Sequence, residues 1–137
     1  MVHRVLEGIV RNKRVASAYL FAGPPGSGKL EAALDFSNRL GCKKVDCIRV
    51  APEGASLKIE QVWELKQVTR YGPSDGEHLL VVVEEADAMT GEAAAAFLKT
   101  LEEPAPGVVF ILLVERDDRL PATIASRCQK IIFEEKP

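Results

Sequence analysis

The 137-residue sequence is poor in cysteine, in long apolar runs and in any excess of one charge. Its three cysteines, Cys42, Cys47 and Cys128, are odd in number, give no disulfide framework and suit a reducing cytoplasm. Cys42 and Cys47 stand at C-x4-C spacing with no second pair, and only His3 and His78 occur elsewhere. A closed structural zinc site needs four ligands, so no zinc is expected. The longest apolar run, "VVFILLV" at 108–114, has seven residues. A membrane span needs ~20, and no signal-peptide pattern is present, so a cytoplasmic protein without membrane contact is expected. A formal net charge of −2 and a pI near 5.7 give no global basic field to advertise nucleic acid. Local contact with DNA through a few amides or lysines stays open. The "AAAA" at 93–96 is too short for low complexity, and there is no internal repeat.

What is present is a chain of 47% hydrophobic and 28% charged residues, the composition of one soluble domain spanning 1–137. Apolar runs alternate with helical patterns. "VLEGIVRNK" spaces Val5, Leu6, Ile9 and Val10 as an amphipathic helix over about 2–13. "AYLFA" is a buried strand. "KLEAALDFSNRL" is a helix that Gly41 stops, and "CIRV" is a second strand. "KIEQVWELKQVTRY" is helical, with Ile59, Val62, Trp63, Leu65 and Val68 turned inward, and "GPSDGE" is a turn. "HLLVVVE" and "VVFILLV" lack polar alternation, so both of their faces should be covered. Between them a helix should run from about Gly91 to Glu103, capped by Thr90 and stopped by Pro104 and Pro106. A short helix begins near Pro121, and "KIIFE" is the fifth strand. Strands separated by helices imply a parallel α/β sheet with helices on both faces.

Three places carry chemistry. "GPPGSGKL" at 23–30 follows a strand and opens a helix, the context a phosphate-binding loop requires. Gly23, Gly26 and Gly28 let the backbone of Gly23, Pro24, Pro25, Gly26, Ser27 and Gly28 turn its amides toward one point. The helix N-terminus adds positive potential there, and Lys29 reaches for terminal phosphates. The motif G-x-x-x-x-G-K-[ST] then asks for a hydroxyl to hold magnesium, and Leu30 has none. The third strand ends in Glu84 and Glu85, where nucleotide-hydrolysing proteins put a metal-binding aspartate and a glutamate that polarises water. "SRC" at 126–128 places Arg127 on the short helix, a candidate arginine finger acting in trans.

With these landmarks in place, the chain resembles the nucleotide-binding domain of bacterial replicative clamp-loader subunits of the AAA+ class. Within DNA polymerase III it is nearest the delta-prime type, with gamma/tau second. "ASAYLFAGPPGSGK", "SLKIEQVWELKQ", "EEADAMTGEAAAAFLKTLEEPAP" and "LPATIASRC" carry the likeness across nearly the whole chain. The resemblance implies an AAA+ P-loop fold with a five-stranded parallel sheet in the order 5-1-4-3-2. It also implies ATP or ADP as cofactor and a hetero-oligomeric ring with gamma/tau and delta type subunits. The sliding clamp and primer-template DNA would be met through that complex. The family's lid and collar domains would follow Pro137, directly after the fifth strand, where a domain boundary is expected.

The departures all bear on hydrolysis. Leu30 replaces the magnesium hydroxyl, and Glu84 stands for the aspartate. Val114 and Glu115 stand where the family senses the γ-phosphate, and Ala95 stands for an asparagine. Magnesium binding and turnover are thereby in doubt, while Arg127 is kept. That pattern implies a stator-like subunit that completes a neighbour's ATP site. The alternative is a gamma/tau-like motor in which Glu85 orients the attacking water. A small nucleotide kinase fits poorly, because no lid segment or acceptor-binding arginine cluster is present.

Overall fold

Five short apolar runs become strands, and every pairing between them is parallel. The computed structural model describes residues 2–43, 46–74 and 76–134; Asp75 of the expected turn and the expected boundary at Pro137 lie outside them. The strands are β1 (Ala18–Ala22), β2 (Cys47–Val50), β3 (Leu79–Val83), β4 (Val108–Val114) and β5 (Gln129–Ile132). The helices are α1 (Val2–Arg11), α2 (Lys29–Arg39), α3 (Ile59–Thr69), α4 (Gly91–Glu102) and α5 (Ala122–Ala125). The sheet order is β2-β3-β4-β1-β5, which read from the other edge is the 5-1-4-3-2 order that the resemblance implies.

Each face of the sheet is covered. α1 and α2 bury Leu6, Ala33 and Phe36 against Tyr19, Phe21, Val82 and Ile111. α3, α4 and α5 bury Val62, Leu65, Phe97 and Ile124 against Leu20, Val81, Phe110 and Leu112. Successive residues of a strand point to opposite faces, so β1, β3 and β4 feed both cores and are buried along their whole length. Aromatic edges fix the contacts: Tyr19 meets Phe36 at 5.5 Å and Phe97 meets Phe110 at 5.3 Å between ring centroids.

Local signals end the helices as expected. Thr90 caps α4 by accepting a hydrogen bond from the Ala93 amide at 3.1 Å. Gly41, just past α2, takes a φ of 74° that a side chain would resist. Two expectations fail on α3, where Trp63 is 55% and Val68 52% exposed. At ~100° per residue, Val62, Leu65 and Thr69 share one stripe, and Trp63 and Val68 fall well outside it. The apolar character of the segment is spread round the helix, so composition alone overstated its buried face.

Candidate functional site

The loop between β1 and α2 is shaped by its glycines and its neighbours. Gly26 and Gly28 have φ of 81° and 91°, the left-handed region that lets the chain fold back on itself before α2 begins at Lys29. Gly23 is needed for a different reason. A Cβ there would lie 2.6 Å from the Phe133 carbonyl oxygen, and the Gly23 amide donates to Val114 O at 3.1 Å. The loop is thus clamped between the ends of β4 and β5. Pro24 is half-buried and Pro25 exposed, and the Ser27 amide donates to Pro24 O at 3.2 Å. Ser27 Oγ is buried without a hydrogen-bond partner among the described residues.

Lys29 Nζ donates to Gly23 O and, at 3.2 Å, to Pro24 O. Burial holds its pKa below the ordinary lysine value, while the carboxylates of Glu115 and Asp87 act in the opposite direction. Leu30 is half-buried and packs into the core formed by α1 and α2. Its side chain fills space there and supplies no oxygen to the loop.

A cleft of about 350 Å³ opens beside the loop, at the C-terminal ends of the parallel strands, where α/β sheets bind their ligands. Pro25, Lys29, Glu84, Glu85, Asp87, Val114, Glu115 and Arg119 line it. Lys29, Glu84 and Glu85, far apart in sequence, are therefore brought together. Glu84 is fixed by its amide, which donates to Val50 O at 2.7 Å, and by an ion pair with Arg49 at 3.0 Å. Glu85 adopts φ 51° and ψ 53°, a left-handed conformation uncommon for a glutamate, and turns the chain sharply into a 3-10 turn over Ala86–Ala88. The sequence reading missed three residues here. Asp87 and Arg119 line the cleft, with Arg119 within 3.4 Å of Glu115 and 3.8 Å of Asp87. Arg49 reaches Glu84 from β2. Only strand order and register could have revealed Arg49.

Arg127 is not among the residues that line this cleft. It lies just beyond α5, in the turn after Ser126, which corrects the expectation that it sits on the helix itself. Four residues are enough for a single turn, and the Arg127 amide closes it by donating to Ile124 O at 3.0 Å. Its guanidinium donates to Thr123 O at 2.7 Å and approaches Glu102 Oε2 at 3.4 Å, with the side chain 40% exposed. The next residue turns the other way. Cys128 packs against the core, and burial pushes its thiol up to about 11, so it stays protonated at neutral pH. A larger cleft of about 560 Å³ between α3 and α4 contains none of the loop residues. Ala95 is exposed on α4. Cys42 and Cys47 are half-buried free thiols, and among the described residues no group of three histidine, cysteine or acidic side chains is placed to hold a metal ion. No helix among the described residues is long and apolar enough to cross a membrane.

Comparison with known proteins agrees with this architecture. A solved structure of a gamma subunit-related protein of DNA polymerase III from Thermotoga maritima superposes with a TM-score of 0.85 at 29% identity, over 96% of this chain and 46% of that one. The fold is that of the AAA+ P-loop domains. DNA polymerase III subunit delta' of Bacillus subtilis is 32% identical over 97% of this chain. Subunit tau of the same organism is 27% identical, also over 97%. The chain spans 46% of the length of the delta' relative and 27% of the tau relative. The family model described as DNA polymerase III, delta subunit, matches residues 43–137, more than half of the sequence, and the chain belongs to that family.

Proposed function

We propose that this chain is the nucleotide-binding domain of a clamp-loader subunit of the delta-prime kind. In this reading it keeps a phosphate-shaped loop, hydrolyses little itself and lends Arg127 to the ATP site of a neighbouring subunit. The observation that carries the reading is the position of Arg127: outside the cleft that holds Lys29, partly exposed, and oriented by Thr123 O and Glu102. A guanidinium so placed has no phosphate of its own to meet. It is accessible to a phosphate presented by another subunit. The partners are then gamma/tau and delta type subunits in a cytoplasmic ring, with the sliding clamp and primer-template DNA met through the assembly.

The loop itself should hold ATP or ADP. Its amides and the α2 N-terminus favour an anion, and Lys29 would exchange the carbonyls of Gly23 and Pro24 for phosphate oxygens, a stronger charge-assisted bond. Titration calorimetry with ADP should show binding, and Lys29→Ala should weaken it by about tenfold or more. Wild-type chain that takes up no ADP would refute the phosphate role of the loop.

Turnover should be negligible. The hydroxyl expected at Leu30 is absent and Glu84 is engaged by Arg49. Where several catalytic parts act as a unit, restoring one returns little, so Leu30→Thr alone should leave the rate low. The rival reading, a gamma/tau-like motor, draws on Glu85, which stays at the lip of the cleft. Steady-state hydrolysis by this chain at an ordinary enzymatic ~1 s⁻¹ or faster would favour the motor.

A further inference from the structure

In nucleotide-hydrolysing P-loop proteins, magnesium is held by the loop hydroxyl and by the carboxylate at the end of the acidic strand. Neither position fits that ion here. Leu30 packs into the core. Glu84 has both carboxylate oxygens occupied: Arg49 Nε donates to Oε2 at 3.0 Å and Nη2 to Oε1 at 3.2 Å. Such a two-point fork matches the planar guanidinium to the carboxylate and is stronger than a single contact.

The sheet produces the pair. Arg49 lies opposite Val82 in the parallel register of β2 and β3, and Glu84 follows Val82 by two residues. Residues two apart share a face, so the arginine and the glutamate project to the same side. Two other acidic side chains of the cleft are matched too, since Arg119 stands 3.4 Å from Glu115 and 3.8 Å from Asp87. Among the described residues, Lys29 donates to the loop carbonyls of Gly23 and Pro24.

We propose that Arg49 takes over the charge balance that a divalent cation would supply at Glu84, so that the cleft takes a nucleoside di- or triphosphate in its metal-free form. The proposal rests on the reading that the loop binds nucleotide phosphate. Arg49 neutralises a carboxylate of the cleft that Lys29 also lines, and Lys29 with the loop amides receives the phosphates directly. Arg49 is a positioning residue in this scheme, acting on the ligand through Glu84.

The test is ADP binding measured by calorimetry in excess magnesium and in excess EDTA. Wild type should bind equally in both, within about twofold. Arg49→Ala exposes an uncompensated carboxylate to the phosphates, so its affinity in EDTA should fall about tenfold. Adding Glu84→Gln to that variant should recover the loss, which a merely structural role for Arg49 would not allow. Arg49 lies half exposed on an edge strand, and a thermal melt of each variant checks that it folds. Binding by wild type that tightens tenfold or more with magnesium would overturn the proposal alone, as would Arg49→Ala binding like wild type in EDTA. Absence of ADP binding under both conditions would remove the phosphate-loop reading together with it.

Discussion

Replacing Arg127 by alanine in this chain alone, within a ring reconstituted with gamma/tau and delta type subunits, is expected to slow ATP hydrolysis at the adjoining site by about 10³–10⁵-fold. That is the range for arginine fingers, whose charge offsets the charge that develops on the transferred phosphoryl group. Arg127→Lys should be nearly as damaging. Lysine carries the charge but cannot present a planar fork. The chain by itself should hardly notice either change. The Arg127–Glu102 pair is at the surface, with side chains 40% and 46% exposed, and exposed pairs contribute only ~0–1 kcal/mol. Melting temperature of the isolated chain and hydrolysis by the ring therefore separate the two roles. An unchanged rate in the ring would make Arg127 an ordinary solvated arginine and remove the main support for the assembly role.

Glu102 links that prediction to the fold. It stands at the C-terminal end of α4, while Arg127 follows α5, and the two helices pack on the same face of the sheet. The arginine is thus held from two sides, by the Thr123 carbonyl below it and by Glu102 across from it. Cys128 packs inward against the core on the same turn. The three residues of "SRC" accordingly divide their work: Ser126 ends the helix, Arg127 faces out and Cys128 faces in.

The sheet was legible in the sequence because its central strands are covered on both faces. β1 and β4 match their apolar runs residue for residue, since a continuous run bounded by turn residues has few other ways to be buried. The loop was legible because its motif is contiguous, and Gly26 and Gly28 take backbone angles that other residues avoid. What escaped depends on contacts distant in sequence. Arg49 meets Glu84 across 35 residues, and nothing local announces it. Arg119 enters the cleft from the segment after β4, in a stretch, "ERDDR", that reads as solvated loop. The loss of an oxygen at Leu30 was plain, but the destination of its side chain required the packing of α1 beside α2. On α3 the apolar residues outnumber the places that the sheet can cover, so Trp63 and Val68 remain outside.

The same distinction sets the largest stability effect. Phe97→Ala should destabilise the chain by about 3–5 kcal/mol, the cost of emptying a large aromatic site in a core that collapses only partly. Phe97 is fully buried at the middle of α4, edge-on to Phe110 with an interplanar angle of 87°. Its removal loses apolar burial, the aromatic contact and the filling between α4 and β4 together. A domain of this size has roughly 5–15 kcal/mol to lose, so the melting temperature should drop by about 10–20 °C. Phe97→Leu keeps much of the volume and should cost less than half as much. Trp63→Ala, which removes a larger ring, should shift stability by only about 0.5 kcal/mol because that ring is mostly in water. The ordering matters for function as well as for folding. α4 carries Glu102, and β4 ends at Val114, whose carbonyl receives the Gly23 amide of the loop. Loosening the contact between them should therefore weaken ADP binding at the loop and blur the position of Arg127, though Phe97 touches neither. Chemical denaturation of the three variants beside wild type checks the order. If Trp63→Ala proved as costly as Phe97→Ala, the placement of α3 on the sheet would be wrong.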